Sequence, residues 1–362
     1  MSPKVTVLMS VYNGEPFLRE SLESILNQSF SNFEFLIIDD ASTDSSREII
    51  DSYFDSRIRL IENSDNIGLA RSLNKGIELS SGEYIARMDA DDISLPQRLE
   101  EQVDFMNRNV DVGVCGTMVQ LIDSNGKVLH LGYDEKIMWK DEDMKAQLLF
   151  KPCFLHPTVM YRSEILKSNG IIYGEMNGRY SQDYHLWYEL SSICAFANIT
   201  RIYLKYRIHE RQSSKQKRKY QNISSSHIKN IILEEFLGRN LSSEDQIKHA
   251  RISFFQHVSN MTEIDEAENW LKLLMHCNEM NRKYRRDSLT KVLQNIWILL
   301  CMNSSHLGMR LLKKYLSSVF WKFKIENIYQ EMKLVFKCLI KYNVKLLAYD
   351  RTFQNQDLGL FE

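Results

Sequence analysis

Two carboxylates on alternate residues, Asp89 and Asp91, follow a short apolar segment. Where a strand ends and the backbone turns away, both side chains can reach one hard cation. Mg²⁺ or Mn²⁺ prefers such oxygen ligands and usually shares them with substrate phosphates and water. Acidic turns and helix caps contain the same residues, so the pair alone leaves both interpretations open. The position directly after a predicted strand favours a metal site, because ligands of α/β sheets bind there.

A second acidic pair, Asp39 and Asp40, follows another apolar segment. A carboxylate there can accept a hydrogen bond from a nucleobase N–H or a ribose hydroxyl. It can also cap the helix predicted to begin near Asp44, although Ser42 and Thr43 suffice for that cap and leave the carboxylates free. The chain has neither a Gly-x-Gly-x-x-Gly segment after its first strand nor a P-loop sequence. Side chains and a metal ion, rather than a glycine-rich loop, would therefore hold a nucleotide.

The elements that position these residues alternate between strand and helix over the first hundred residues, which predicts an α/β fold with a parallel sheet and helices on both faces. The predicted strands are Val5–Val11, Phe33–Ile38, Ile58–Ile61 and Tyr84–Met88. Polar clusters stand at the ends of three of these strands, where such sheets bind ligands. The clusters are Tyr12-Asn13-Gly14, Asp39-Asp40 and Asp89-Ala90-Asp91.

Beyond residue 112 the pattern changes to a hairpin around Asn125-Gly126, followed by short mixed elements up to about residue 209. After residue 215 only helical periodicity remains. We therefore predict a catalytic α/β domain over residues 1–214 and a helical, basic region over residues 215–362.

Composition limits the class of protein. With 362 residues, 44% of them hydrophobic and 26% charged, the chain can form one large or two ordinary globular domains. Its six cysteines show no Cys-x-x-Cys spacing, and its longest apolar run, Ile296–Met302, is too short to span a bilayer. These features argue against a secreted disulfide scaffold and a transmembrane protein. We expect reduced thiols, no secretory signal at the N-terminus and a cytoplasmic location.

Further motifs occur in a fixed order with the acidic pairs: Asn66-Ile67-Gly68-Leu69-Ala70, Gly82-Glu83-Tyr84-Ile85-Ala86, His156-Pro157-Thr158-Val159, Gln182-Asp183-Tyr184-His185-Leu186-Trp187 and Tyr206-Arg207-Ile208-His209. Together with Asp39-Asp40-Ala41-Ser42-Thr43-Asp44 and Met88-Asp89-Ala90-Asp91-Asp92, they resemble family 2 glycosyltransferases of the GT-A fold. The likeness covers about residues 3–214. It is closest to bacterial enzymes that build capsule, O-antigen or exopolysaccharide units.

The resemblance implies a binding site for a UDP-sugar donor. The end of the first strand would frame the uracil, and the second acidic pair would bind the base or the ribose, chiefly through Asp40. The residues concerned are Val11, Tyr12, Asn13, Glu15, Asp39 and Asp40.

The resemblance also implies a site for Mn²⁺ or Mg²⁺ and the diphosphate. Asp89-Ala90-Asp91 corresponds to the family's Asp-x-Asp motif, with Asp91 as direct metal ligand and Asp89 as a ribose or metal contact. His209 would complete the metal or diphosphate site, although a lone histidine is more often structural. Arg71 would lie near the diphosphate, or else be a surface charge on a helix.

The acceptor side of the family pattern centres on Asp183, which would be the catalytic base. Relatives usually carry Glu-Asp where this chain has Gln182-Asp183, so the neighbour of the base is neutral here. His156, Gln182 and Trp187 would contact the acceptor, although Trp187 at helical spacing is also typical of a core residue. Attack by a hydroxyl deprotonated by Asp183 would invert the anomeric carbon, so an α-linked UDP-sugar would give a β-glycoside.

Charged residues are distributed unevenly along the chain, and the pattern in the C-terminal part suggests contact with a membrane. Residues 1–210 carry 21 basic and 32 acidic side chains, whereas residues 211–362 carry 25 and 15. Residues 310–345 interleave lysines with Leu316, Phe320 and Trp321, a pattern of basic amphipathic helices on anionic membranes and also of helices packed on a domain. No base-reading motif indicates nucleic acid. Peripheral membrane association would suit lipid-linked acceptors at the inner face of the plasma membrane.

The function predicted is therefore an inverting, metal-dependent transfer of a hexose or N-acetylhexosamine from a UDP-sugar to a bacterial surface glycan. A sugar-nucleotide pyrophosphorylase is one alternative, but it needs a Gly- and Lys/Arg-rich loop where the chain has Tyr12-Asn13-Gly14-Glu15. A non-catalytic nucleotide-sugar-binding or scaffold protein is the other. The presence of both Asp91 and Asp183 argues against it.

Overall fold

The computed structural model describes residues 2–130, 140–174, 181–256, 258–322 and 328–340. These residues form two compact units. The first contains the described residues up to Lys145 and those from Pro152 to Ser225, and the second contains Ala146–Lys151 and the described residues from Ser226 onward. The predicted boundary between a catalytic and a helical region after residue 214 stays a prediction.

All described strands lie in the first unit. They are β1 (Val5–Val11), β2 (Phe33–Asp39), β3 (Ile58–Glu62), β4 (Tyr84–Met88), β5 (Ile93–Ser94), β6 (Val112–Ile122), β7 (Val128–His130), β8 (Met160–Arg162) and β9 (Ala195–Arg207). The helices up to residue 216 are α1 (Glu15–Leu26), α2 (Ser46–Asp51), α3 (Leu69–Leu79), α4 (Arg98–Arg108), α5 (Asp141–Gln147), α6 (Ser163–Ser168), α7 (Gln182–Ser191) and α8 (Ser213–Gln216).

The strands form one sheet in the order β3-β2-β1-β4-β8-β6-β9-β5, with β7 paired to β6. The predicted parallel sheet is confirmed for β3, β2, β1 and β4, whose ends lie level because Val11 pairs with Asp39 and Met9 with Met88. Beyond β4 the sheet is mixed, since β8 runs antiparallel to both β4 and β6 while β9 runs parallel to β6.

Both faces of the sheet are covered, as the apolar strands predict. Val7 and Met9 of β1 share a core with Leu18 of α1 and Leu99 of α4. Side chains alternate along a strand, so Leu8 points to the opposite face, where α3 packs. A Cβ atom at Gly76 of α3 would lie 2.2 Å from Leu8 Cδ1, so glycine permits this close approach.

All regular elements among the described residues of the second unit are helices, as the periodicity predicts. The part of α9 (Arg218–Leu237) from Ser226 onward belongs to this unit. The helices that follow are α10 (Ser243–Ser253), α11 (Met261–Asn281), α12 (Arg286–Asn303), α13 (Met309–Ser317) and α14 (Ile328–Leu339). The α12 helix is its centre, and Leu293, Trp297 and Leu300 are fully buried. No described helix combines the length and the apolar character needed to cross a bilayer.

The prediction that the apolar side of residues 310–324 faces a membrane is wrong in part. Phe320 is buried, with its ring 6.4 Å from that of Trp297, and Trp321 is half-buried. Leu311 and Leu312 of α13 are buried as well, so much of the apolar side of this segment packs inside the unit, whereas Leu316 and Val319 are exposed. Residues 323–327 and 341–345 of the predicted segment lie outside the described residues.

Candidate active site

The ends of β1 and β2 are joined by hydrogen bonds into one rim. Asn13 adopts a left-handed backbone conformation with φ +53°, which asparagine tolerates better than most residues. Its Oδ1 accepts a hydrogen bond of 2.8 Å from Thr43 N, and Gly14 N donates to Ser46 Oγ at 2.9 Å. Glu15 N donates to Asp44 Oδ2 at 3.0 Å. Asn13 and Glu15, predicted to lie beside a base, thus hold the second loop against the first.

Two neighbours of this rim differ in their accessibility. Tyr12 is 51% exposed, so its ring offers an aromatic face to a ligand. Val11 is fully buried in the core, and its carbonyl oxygen accepts the N–H of Asp40 at 2.8 Å. The side chain of Val11 therefore supports the rim, and any contact with a base would involve its backbone.

The two aspartates at the end of β2, Asp39 and Asp40, are buried, and each makes its own set of hydrogen bonds. Asp40 accepts hydrogen bonds from Asn63 Nδ2 at 2.8 Å and from the backbone N–H groups of Ile67 and Gly68 at 2.9 and 2.8 Å. It therefore fixes the loop that leads into α3, and one acceptor position remains on its Oδ2. Asp39 Oδ1 accepts from Ser42, whereas Asp39 Oδ2 has no partner among the described residues.

At the end of β4, three carboxylates converge. Asp89, Asp91 and Asp92 each offer an oxygen that lies within 4.8 Å of the others. His209 closes the group, because its Nε2 is 2.9 Å from Asp91 Oδ2 and its ring packs on Phe17 at 4.6 Å. The structure thus brings together the three residues predicted to bind a metal and adds Asp92 to them.

The donor set of this cluster fits a hard divalent cation. Asp92 is buried, and its Oδ2 has no hydrogen-bond partner within the described residues. Desolvation raises the pKa of Asp92, and the nearby carboxylates of Asp91 and Asp89 raise it further. Desolvation likewise raises the pKa of Asp89, against the opposing charge of Arg87. A cation bound among these oxygens would satisfy the unpartnered atom and offset the repulsion, and oxygen ligands are those that Mg²⁺ and Mn²⁺ take.

Buried arginines support the cluster from below. Arg87 pairs with Asp89, and Arg207 donates from its backbone N–H to Asp92 Oδ1 and from Nε to the carbonyl oxygen of Asp91, both at 2.8 Å. The guanidinium of Arg207 also contacts Glu20 Oε2 at 2.6 Å. Sequence reasoning missed the roles of Asp92 and Arg207, although both stand inside the motifs that were recognised.

The predicted base, Asp183, lies in the first turn of α7 and is partly exposed. The residue before the helix, Ser181, has a left-handed φ of +61°, a conformation that serine adopts at a steric cost. Desolvation raises the pKa of Asp183 to about 6, and the negative charge of Asp89 contributes to the rise. The carboxylate of Asp183 therefore lies within electrostatic reach of Asp89. Gln182, the residue before it, is partly exposed.

A buried polar chain runs behind Asp183. His156 Nε2 is 2.8 Å from Tyr173 Oη, which is 2.9 Å from Tyr161 Oη. Desolvation lowers the pKa of His156 well below its usual value, so the imidazole is neutral. Burial raises the pKa of both tyrosines and the charge of Asp183 adds to the rise, so the chain lies near Asp183.

The prediction that Trp187 contacts an acceptor is corrected by the structure. Trp187 is fully buried, stacked on Tyr161 at 5.6 Å and tilted against Phe154 at 5.0 Å. A ring enclosed in this way has no face for a sugar, and its role is to pack α7 against the sheet.

Arg71 is exposed on α3, where it lines a cavity of about 850 Å³ with Asn74 and Tyr173.

The sequence of this chain is similar to those of known glycosyltransferases. The sequence profile described as "Glycosyl transferase family 2" matches residues 6–170. An uncharacterized glycosyltransferase of Haemophilus influenzae is 28% identical over 324 residues, 88% of this chain and 98% of the relative. One of Methanocaldococcus jannaschii is 38% identical over 228 residues, 62% and 77% of the two chains. The O-antigen biosynthesis glycosyltransferase WbnJ of Escherichia coli is 31% identical over 249 residues, 66% and 92%.

Solved structures show the same GT-A fold. TarS 1–349 of S. aureus, in complex with UDP-GlcNAc, has a TM-score of 0.51 at 17% identity and covers 94% of this chain and 91% of its own. The mannosyltransferase PcManGT of Pyrobaculum calidifontis, in complex with GDP-Man and Mn²⁺, has a TM-score of 0.50 at 15% identity, covering 95% and 89%. The sequence relatives that are more than 30% identical over most of their length, together with the family profile, show that this chain belongs to glycosyl transferase family 2.

Proposed function

We propose that the protein transfers a hexose or an N-acetylhexosamine from a UDP-sugar to a hydroxyl group of a bacterial surface glycan, with inversion at the anomeric carbon. One observation carries the proposal: the carboxylates of Asp89, Asp91 and Asp92 converge at the end of β4. Desolvation, with a contribution from the charge of Asp89, raises the pKa of the partly exposed Asp183. A cation held by the carboxylates and a base at Asp183 would then share one site, as transfer from a nucleoside-diphosphate sugar requires.

The nucleotide would lie along the rim formed by β1 and β2. The exposed ring of Tyr12 would stack on the uracil, and the open acceptor positions of Asp39 and Asp40 would receive its N–H or a ribose hydroxyl. Arg71 would face the diphosphate. The TarS structure with UDP-GlcNAc supports a donor of this class, and the PcManGT structure with GDP-Man and Mn²⁺ keeps a guanine nucleotide as an outcome of the test.

Asp89, Asp91, Asp92 and His209 would hold Mn²⁺ or Mg²⁺. When bound, the cation offsets the negative charge that develops on the departing diphosphate. Asp183 takes the proton from the acceptor hydroxyl, whose oxygen then forms a bond to the anomeric carbon as the bond to the diphosphate breaks. A pKa near 6 leaves Asp183 ionised at neutral pH yet more basic than an ordinary carboxylate, which suits a general base. One such displacement turns an α-linked donor into a β-glycoside.

The acceptor would approach on the side of Gln182 and His156. Gln182 can donate and accept hydrogen bonds with sugar hydroxyls, and neutral His156 can do so through the ring nitrogen that does not face Tyr173. The named role of the relative WbnJ in O-antigen biosynthesis supports a surface glycan, carried on a lipid at the inner face of the membrane.

The experiment is a donor screen that measures release of the free nucleotide. The purified chain is incubated with Mn²⁺, an extract of lipid-linked glycans and one nucleotide sugar at a time, with wild type beside Asp183→Asn. We expect one UDP-sugar to be consumed and the variant to be at least about a hundredfold slower. Asp55→Asn, a change just before the start of β3 at the opposite edge of the sheet, serves as control. Consumption of GDP-mannose alone would replace the proposed donor, and no consumption of any donor would favour a non-catalytic role.

A further inference from the structure

The outer face of α14 carries a stripe of large apolar side chains that are 37% to 71% exposed. They recur at the spacing of one helix face, and they lie opposite the buried residues Gln330, Leu334 and Cys338. The stripe consists of Ile328, Tyr329, Met332, Val335, Phe336, Leu339 and Ile340.

Such a stripe needs an explanation, whereas single exposed apolar residues do not. The buried side of α14 already anchors the helix within its unit, so the exposed side is not needed for packing there. The residue types also matter: tyrosine, phenylalanine, methionine and aliphatic side chains are those that enter the boundary between lipid headgroups and acyl chains.

Charge around the stripe is positive. Lys333 is exposed, and Lys337 follows one turn later on the same edge. The one acidic residue of α14, Glu331, lies on the other side, with its carboxylate 3.5 Å from Tyr315 Oη. The sequence around the helix is basic as well, since residues 211–362 carry a net charge of +10. An anionic surface complements this charge, whereas a second copy would bring like charges together.

We propose that the α14 stripe is a membrane-docking face that inserts into the headgroup region of an anionic bilayer. The lysine edge would lie among the lipid phosphates while the apolar side chains enter the acyl boundary. This surface lies in the second half of the predicted segment, residues 310–345, whereas Phe320 in the first half is buried. The proposal rests on the lipid-carried acceptor of the proposed function and names a surface that would dock on the membrane, and it does not require the transfer reaction.

The test is flotation of the full chain with vesicles of phosphatidylcholine, with and without about 30% phosphatidylglycerol. A stripe variant, Met332→Ser with Phe336→Ser, is compared with a matched variant that changes one exposed methionine and one exposed phenylalanine elsewhere, Met280→Ser with Phe54→Ser. We expect wild type and control to bind the anionic vesicles alike. The stripe variant should bind more than about tenfold more weakly. Lys333→Gln should weaken binding at low salt and make binding less sensitive to salt, because one attraction to the lipid phosphates is lost.

Two further measurements keep the outcome clear. Circular dichroism checks that the stripe variant is folded, and nucleotide binding checks that the first unit is intact, so that failure of docking is distinguishable from failure of the proposed reaction. Equal vesicle binding by the stripe variant and the control would overturn the proposal. A wild-type dimer that the stripe variant converts to a monomer, with no vesicle binding by either, would assign the face to a second copy instead.

Discussion

Replacing Asp183 by asparagine should slow the enzyme and stabilise it at the same time. The amide keeps the shape of the side chain, and its oxygen can accept the backbone N–H groups of the first turn of α7 as the carboxylate does. It cannot accept the proton of the acceptor hydroxyl, so turnover should fall by about 10²- to 10⁴-fold, the usual range for a lost general base. Affinity for UDP should stay within about threefold of wild type, because Asp183 is assigned to the acceptor and not to the donor.

The gain in stability follows from the raised pKa. Its rise from 3.8 to about 6 means that the ionised carboxylate costs the folded state about 2–3 kcal/mol relative to the unfolded chain. Because the folded-state value lies above the unfolded one, this cost is absent well below pH 4, grows between pH 4 and pH 6 and is complete above pH 6. Asparagine carries no charge, so the variant lacks this cost. Its gain in free energy of unfolding over wild type should therefore be complete at pH 8 and about half as large at pH 5.

Urea unfolding of wild type and Asp183→Asn at pH 8 and pH 5 measures this difference. Asp55→Asn is the matched control in the same unit, because hydrogen bonds from Arg57 lower the pKa of Asp55, so loss of its charge should lower stability at pH 8. An Asp183→Asn protein that is no more stable than wild type at pH 8 would contradict the inference that the carboxylate of Asp183 is desolvated. Turnover of this variant at the wild-type rate would contradict its role as the base.

Three other changes test the site. First, kcat/KM of wild type should fall with decreasing pH through an apparent pKa near 6, because protonated Asp183 cannot act as a base; a flat profile between pH 5 and pH 8 would contradict this. Second, Arg207→Lys removes the Nε hydrogen bond to Asp91 and should weaken Mn²⁺-dependent UDP binding by about 10- to 100-fold in calorimetry, whereas Glu20→Gln should leave it nearly unchanged; equal losses would assign the effect to the ion pair. Third, Trp187→Phe should cost about 1–2 kcal/mol in unfolding experiments without changing the acceptor KM, and a raised KM at wild-type stability would restore the sugar contact.

Local pattern was enough to predict the parallel strands and the edge at which their polar residues lie. The strands Val5–Val11 and Tyr84–Met88 are short apolar runs bounded by polar turns, and both were predicted to the residue. Because parallel strands end at one edge of a sheet, the polar residues that follow these strands were expected at that edge. The position of Asp89 and Asp91 there could therefore be predicted from the sequence.

Other parts depend on contacts between residues far apart in the chain. Arg207 reaches the acidic cluster across more than a hundred residues, and no local spacing indicates that its N–H satisfies Asp92. A buried tryptophan and one that stacks on sugar share the same helical spacing, which is why Trp187 was misjudged. The same ambiguity affected the tail, where the apolar side around Phe320 packs inside the unit and that of α14 stays exposed.

The central claim is that a divalent cation held by the acidic cluster binds a nucleoside diphosphate, and calorimetric titration of UDP tests it most directly. UDP is titrated into wild type and Asp91→Ala with Mn²⁺ and again with EDTA. We predict binding by wild type with Mn²⁺, with affinity lowered by more than about tenfold in EDTA and equally by Asp91→Ala. Binding of the same strength in all four titrations would contradict the cation site at Asp89, Asp91 and Asp92.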